Sequence, residues 1–141
     1  MATPFQITVD AIEPHAQARF WAEVLGYEIE DTTALIAGLR DQAVVTDADF
    51  FESDGQLWWN DLVGIRDAHG RQPRVLFQRC TIPKQSLRNR VHLDLNVGRE
   101  RRADEVARLV ALSATVLYEI DEPGGRHTTM ADPEGNEFCV Q

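Results

Sequence analysis

Two stretches of the chain, about 87 residues apart judged by Leu25 against Leu112, carry the same order of strand and helix, and this repetition restricts the fold more than any other feature. In the first, FQITVD alternates, with Phe5, Ile7 and Val9 on one face and Gln6, Thr8 and Asp10 on the other, the period of a strand. Residues 14–25 follow with Phe20, Trp21, Val24 and Leu25 at helical spacing; Pro14 suits the first turn and Gly26 the position after the last. In the second, RVHLDLNV (90–97) sets Val91, Leu93, Leu95 and Val97 against His92, Asp94 and Asn96. A helix over about 101–112 follows, with Ala103, Val106, Ala107 and Val110 as its apolar stripe.

The remaining segments complete each half. ATVLYEI reads as a strand, EPGGR as a turn, residues 127–131 as a strand, DPEGN as a hairpin turn and EFCVQ as the last strand, which makes the second half β-α-β-β-β. The first half then needs an extended segment at 27–31 and two strands near 58–65 and 74–80, joined by DAHGRQP. Between them lies an insert of about 32–57, in which TALIAGLRDQ forms a helical turn or two, and 83–88 reads as the linker between halves. The predicted class is α+β. One domain spans 1–141, with module 1 at about 4–82 and module 2 at about 88–141, because neither half alone has enough apolar residues for a core.

Composition narrows the partners. With 23 acidic against 14 basic residues the net charge is −9, which disfavours phosphate backbones and anionic lipid surfaces, so neither nucleic acid nor membrane is expected as a partner. No segment reaches the roughly 18 apolar residues of a membrane span, and MATPFQITVD lacks a basic stretch followed by an apolar run; the expected compartment is the cytoplasm. Cys80 and Cys139 have neither metal-type spacing nor a disulfide framework and read as reduced thiols.

Paired β-α-β-β-β modules with the helix ending FWAEVLGY (20–27), the strand RVHLDLNV and the hairpin MADPEGNEF (130–138) resemble the vicinal oxygen chelate superfamily, which includes glyoxalase I, extradiol dioxygenases and bleomycin-resistance proteins. The stretch FQR…NRVHLDL before the second helix is similar to its glyoxalase-like branch. The resemblance implies two modules forming a curved, partly closed mixed sheet around a cavity that holds a small-molecule substrate and, in metal-using members, a metal ion. It also implies a homodimer. If the helices pack on the faces bearing Ile7, Val9, Phe77, Leu93, Leu95, Phe138 and Val140, the opposite faces carry Gln6, Thr8, Gln78, Cys80, His92, Asp94, Glu137 and Cys139. Matched strand by strand, the family's ligand positions fall on Gln6, Gln78, His92 and Cys139, and only His92 fits its pattern of imidazoles and carboxylates. A neutral carboxamide oxygen is a poor donor for a divalent cation. The expectation is therefore no metal and no cofactor, with Gln6, Thr8, Gln78, His92, Asp94 and Cys139 binding an organic ligand. Asp94 joins as a metal ligand only under a different strand register.

Three functions compete. A metal-free protein that sequesters or senses a small organic molecule explains the lost carboxylates. The alternative is a lyase, isomerase or dioxygenase-type enzyme, working through a degenerate metal site or through His92 as general base oriented by Asp94. In the third, side chains fill the cavity and the protein acts through its dimer surface. Each residue also has a plain structural reading. His92 hydrogen-bonds Asp94 or Gln78, Asp94 pairs with Arg79 or Arg90, one of Trp58 and Trp59 reaches the cavity face, and His15 and His69 are solvated.

Overall fold

The computed structural model describes residues 4–86, 88–122 and 125–141. Residues 1–3, Leu87 of the expected linker, and Pro123 and Gly124 of the expected EPGGR turn lie outside the described residues. The chain divides into two units, Met1–Thr81 and Ile82–Gln141.

Unit 1 runs β1 (Ile7–Ala11), α1 (Pro14–Leu25), β2 (Glu28–Ile29), α2 (Thr33–Asp41), β3 (Phe50–Ser53), β4 (Gln56–Trp59), β5 (Leu62–Arg66) and β6 (Val75–Arg79). Its main sheet has the order β1-β6-β5-β2, with β1 parallel to β6 and the other pairs antiparallel. Unit 2 runs β7 (Asp94–Leu95), α3 (Arg102–Ala111), β8 (Thr115–Glu122), β9 (Gly125–Ala131) and β10 (Glu137–Val140). Its sheet has the order β7-β10-β9-β8, again with the first strand parallel to the last. The repeat in the sequence is thus a repeat of topology, and the class is α+β. Among the described residues no helix is long and apolar enough to cross a membrane.

The period-2 pattern decides which face is buried. Val63, Ile65, Val75 and Phe77 of unit 1 are all 4% exposed or less, on strands against which α1 packs its Ala18 and Trp21. Gly26 closes α1 in the left-handed region at φ 67°, its N–H reaching Ala22 O. The position 87 residues later is Ser113, held at φ 81° after α3. A left-handed backbone costs an L-residue about 1–2 kcal/mol. Ser113→Gly is accordingly expected to raise stability by about 1 kcal/mol, read as a higher urea midpoint.

Four expectations need correction. RVHLDLNV pairs as a regular strand over Asp94–Leu95 alone, although Cys139 N–H to Leu93 O and Val97 N–H to Gln141 O extend the ladder; Val91 precedes the pairing and is 84% exposed. The strand expected at 58–65 is two strands, because β4 turns back on β3 in a hairpin that, with α2, makes up the insert. Trp58 and Trp59 therefore lie outside the four-stranded sheet. His15 is half-buried rather than solvated: its ring meets Phe51 and Trp58 edge-on and its Nε2 lies 2.8 Å from Trp59 O. On α3 the buried face is turned by about one position, so Leu109 is fully buried and Val110 is 48% exposed, since Leu109 is the largest apolar side chain that helix offers.

Candidate functional site

Register builds the site. In unit 2 Asp94 of β7 is opposite Cys139 of β10, Cys139 is opposite Thr129 of β9, and Thr129 is opposite Tyr118 of β8. Directly paired residues share a face, so these four side chains form a row across the sheet on the side away from α3. His92 and His127 have the same parity two residues along from Asp94 and Thr129. Phe138, Val140 and Met130 alternate to the other side and are fully buried, as is Leu109 on α3. Around the row is a pocket of about 250 Å³, whose walls include Arg88, His92, Asp94, Tyr118, His127 and Cys139.

The chemistry of this face is mixed. His92 Nδ1 lies 2.9 Å from Asp94 Oδ1; a carboxylate only accepts, so this contact selects, for the neutral imidazole, the tautomer with its proton on Nδ1 and the lone pair on Nε2. Thr129 Oγ1 is 3.7 Å from Cys139 Sγ. Burial pushes the Cys139 thiol up, the Asp94 carboxylate adds to this, and the hydrogen bond to Thr129 with the charge of Arg88 opposes it without cancelling it. A thiol held in its protonated form is a weak nucleophile. That argues against Cys139 as an attacking group. Glu137 anchors the segment that carries Arg88: Lys84 Nζ donates to its Oε2 at 2.6 Å and the Asn89 N–H at 2.8 Å. Burial works against its ionised form, but these hydrogen bonds prevail and hold the carboxyl below its ordinary value.

In unit 1, Gln6, Thr8 and Gln78 lie on the exposed side of their sheet, with other partners. Gln6 Oε1 accepts from Arg74 Nη1 at 2.9 Å, and that guanidinium is bidentate to Glu30 at 2.7 and 2.6 Å. Gln6 Nε2 donates to Thr8 Oγ1 at 3.4 Å, and Gln78 Nε2 donates to Asp10 Oδ1 at 2.8 Å. Hydrogen bonding to Arg74 holds the Glu30 carboxyl below its usual range. The carboxamide oxygen of Gln6 thus already accepts from a cation, and these carboxamides do not fit the hard divalent centre that the resemblance implies.

The plain readings divide as well. His92 does bond Asp94, whereas Arg79 pairs with Asp61 at 2.8 Å instead of Asp94. Sequence reasoning missed Tyr118, His127, Thr129 and Arg88. A signal existed for Thr129 and His127: pairing β9 with β10 about the DPEGN turn puts them in the parity of Cys139.

The glyoxalase-like domain matches residues 6–141, and the chain belongs to that family. No curated protein sequence matches it. Among solved structures, hypothetical protein SA1046 from S. aureus is 15% identical over 99% of this chain and 96% of its own, with a TM-score of 0.60. A mutant of the fosfomycin resistance protein FosX from Listeria monocytogenes, complexed with Mn(II) and 1S,2S-dihydroxypropylphosphonic acid, is 14% identical over 100% and 90%, at 0.64. A glyoxalase/bleomycin resistance protein/dioxygenase family enzyme from Burkholderia phytofirmans PsJN is 12% identical over 96% and 94%, at 0.59. At these identities the likeness is one of fold.

Proposed function

We propose that this chain is a small-molecule-binding protein of the glyoxalase-like family, holding a polar organic ligand on the sheet face of unit 2. One observation carries the reading. The row from Asp94 to Tyr118 lines a concave pocket of about 250 Å³ with a carboxylate, two imidazoles, hydroxyls and a guanidinium, groups that orient a ligand by hydrogen bonds. That volume equals about eight waters at roughly 30 Å³ each, the scale of a small metabolite. His92, Asp94 and Cys139 carry the proposal; Gln6, Thr8 and Gln78 already have partners in unit 1.

The test is a thermal-shift screen of small organic acids, alcohols and amines, followed by calorimetry on the best ligand. His92→Ala is expected to weaken that ligand by about 1–3 kcal/mol, roughly 5- to 160-fold, by leaving its polar partner unpaired. Unchanged affinity would return His92 to a plain structural role.

The His92–Asp94 contact favours a second reading, in which Nε2 takes a proton from a bound substrate while Asp94 fixes the tautomer. Exchange of a ligand C–H for deuterium in D₂O, lost in His92→Gln, distinguishes catalysis from binding alone. For assembly we propose a homodimer: β8 is an edge strand on which Val116, Leu117 and Tyr118 are exposed. Light scattering is expected to give twice the chain mass of 15.9 kDa, and a monomer at micromolar concentration would refute it.

A further inference from the structure

The insert gives unit 1 a concave surface that the topology of unit 2 does not repeat. Between β2 and β5 the chain carries α2 and the β3–β4 hairpin, whereas unit 2 passes from α3 through β8, β9 and β10. The hairpin sets Phe51 directly opposite Trp58, and directly paired residues share a face, so the two rings stand side by side. That face meets α1. The His15 ring lies 5.1 Å from Phe51 at 72° and 6.2 Å from Trp58 at 87°, and its Nε2 is 2.8 Å from Trp59 O. With Val63 and Ile29 of the sheet, and Arg19 one turn along α1 from His15, these side chains line a pocket of about 180 Å³. Val63 is paired with Phe77 and is 4% exposed on the face that α1 covers, so the pocket lies on the helix side of its sheet, away from the face of Gln6, Thr8 and Gln78. We propose that this pocket of unit 1 binds a small aromatic carboxylate, its ring against Phe51 and Trp58 and its carboxylate on Arg19.

The walls select that ligand class. Phe51 is 39% exposed and Trp58 half-buried, so ring surface that packing leaves open to water is covered by a ligand ring in stacked or edge-on contact. Among the described residues Arg19 forms no ion pair, and its planar fork matches a carboxylate through two parallel hydrogen bonds. Asp54 of the hairpin turn also lines the pocket, with its Oδ2 accepting from Ser53 Oγ at 3.2 Å. Its charge opposes an anion, which makes it a probe of the sign of the ligand. The walls are fixed before a ligand arrives: Trp58 Nε1 donates to Ser53 O at 3.4 Å, and Leu57 N–H to Thr33 Oγ1 at 3.0 Å and Thr32 Oγ1 to Leu57 O at 2.7 Å tie the hairpin to the start of α2. A preformed wall lowers the ordering entropy that binding costs. The pocket volume equals about six waters at roughly 30 Å³ each, which fits one substituted ring and excludes a nucleotide.

The test uses the full chain, titrated by calorimetry with benzoate, phenylacetate and indole-3-acetate. At least one of these acids is expected to saturate at one equivalent with a Kd below about a millimolar. Phenethylamine and benzyl alcohol, which carry the ring with the opposite charge or with none, are expected to bind about tenfold more weakly or worse. Arg19→Gln should weaken the acid by about tenfold or more, and Phe51→Ala should weaken acid and alcohol alike. Asp54→Asn should tighten the acid or leave it unchanged, and His92→Ala, on the face of unit 2, should not alter it. Arg19, Phe51 and Asp54 are exposed, so these variants are expected to fold, which their melting temperatures check; Arg19→Gln against Asp54→Asn keeps the test decisive if Phe51→Ala does not. A Kd above about a millimolar for every acid, or undiminished binding in Arg19→Gln, would overturn the proposal. Phenethylamine binding as tightly as the acids, or an acid lost on Asp54→Asn, would overturn the choice of an anion. Binding abolished by His92→Ala would place the acid on the unit 2 face and remove this site.

Discussion

Phe138→Ala is expected to lower the stability of the chain by about 3–5 kcal/mol, the range for emptying a fully buried phenylalanine site. Phe138 is completely buried on β10, opposite Met130 on β9, with Val140 two residues on and Leu109 on α3, all of them also at 0% exposure. This is the centre of a small core. A domain commonly retains 5–15 kcal/mol in total, so a single cavity of this size removes a large fraction of it. The measurement is a denaturant midpoint at constant slope, with Phe138→Leu, which refills most of the volume, expected to lose less than about 1.5 kcal/mol. A loss under 1 kcal/mol for the alanine variant would mean that α3 holds the sheet by other contacts. The consequence reaches the pocket, because Phe138 and Cys139 are consecutive and point to opposite faces. Loosening the first displaces the second, so ligand affinity should fall in the alanine variant even under conditions where it stays folded.

What the sequence made legible follows from which patterns are local. Pro14 and Gly26 bracket α1 because a fixed φ at one end and a left-handed residue at the other are properties of single residues. The alternation of Ile7 and Val9 with Thr8, and of Leu93 and Leu95 with Asp94, assigned faces because the pleat has period two. Pairing is another matter. Nothing within RVHLDLNV states that Asp94 comes to lie beside Cys139, 45 residues on, since a parallel register is set by a partner strand and an intervening crossover. Face parity alone therefore groups Asp94 with His92 and Cys139, while the register that sets it directly opposite Cys139 is visible only in the folded chain. Position on α3 was ambiguous for a related reason: Val106 belongs with either Val110 or Leu109, and only the sheet beneath decides between two overlapping stripes. The hairpin of β3 and β4 was hidden because FFES and QLWW are short, and Asp54 at φ 54° with Gly55 at φ 75° supplies the primed turn that joins them.

The sequence of DPEGN states its turn chemistry but not the burial of its first residue. Asp132 is 4% exposed, and its carboxylate accepts the N–H groups of Glu134 and Asn136, both at 2.9 Å, and the Asn136 side-chain amide on both oxygens at 2.9 and 3.1 Å. One side chain therefore accepts from two backbone N–H groups and one side-chain amide of the turn, the Gly135 N–H goes to the Asp132 backbone carbonyl, and Gly135 takes φ 85° to bring the chain back. Asp132→Ala removes both carboxylate oxygens at once and leaves the Glu134 and Asn136 N–H groups without their acceptor; bonds to charged groups contribute about 1.5–3 kcal/mol each before their losses overlap, so a net loss of about 2–4 kcal/mol is expected. Asp132→Asn keeps one carbonyl oxygen for the two backbone N–H groups and gives up the side-chain pair, and about 1 kcal/mol is expected. The ordering is the test: in urea melts the alanine variant must fall well below the asparagine variant. Equal losses would show that the charge, not the pair of backbone bonds, holds the turn. The hairpin joins β9 to β10, setting Glu137 against Ala131 and Cys139 against Thr129. If the turn relaxes, the register that assembles the site relaxes with it, so the alanine variant should also lose affinity for any ligand held by Cys139 and its neighbours.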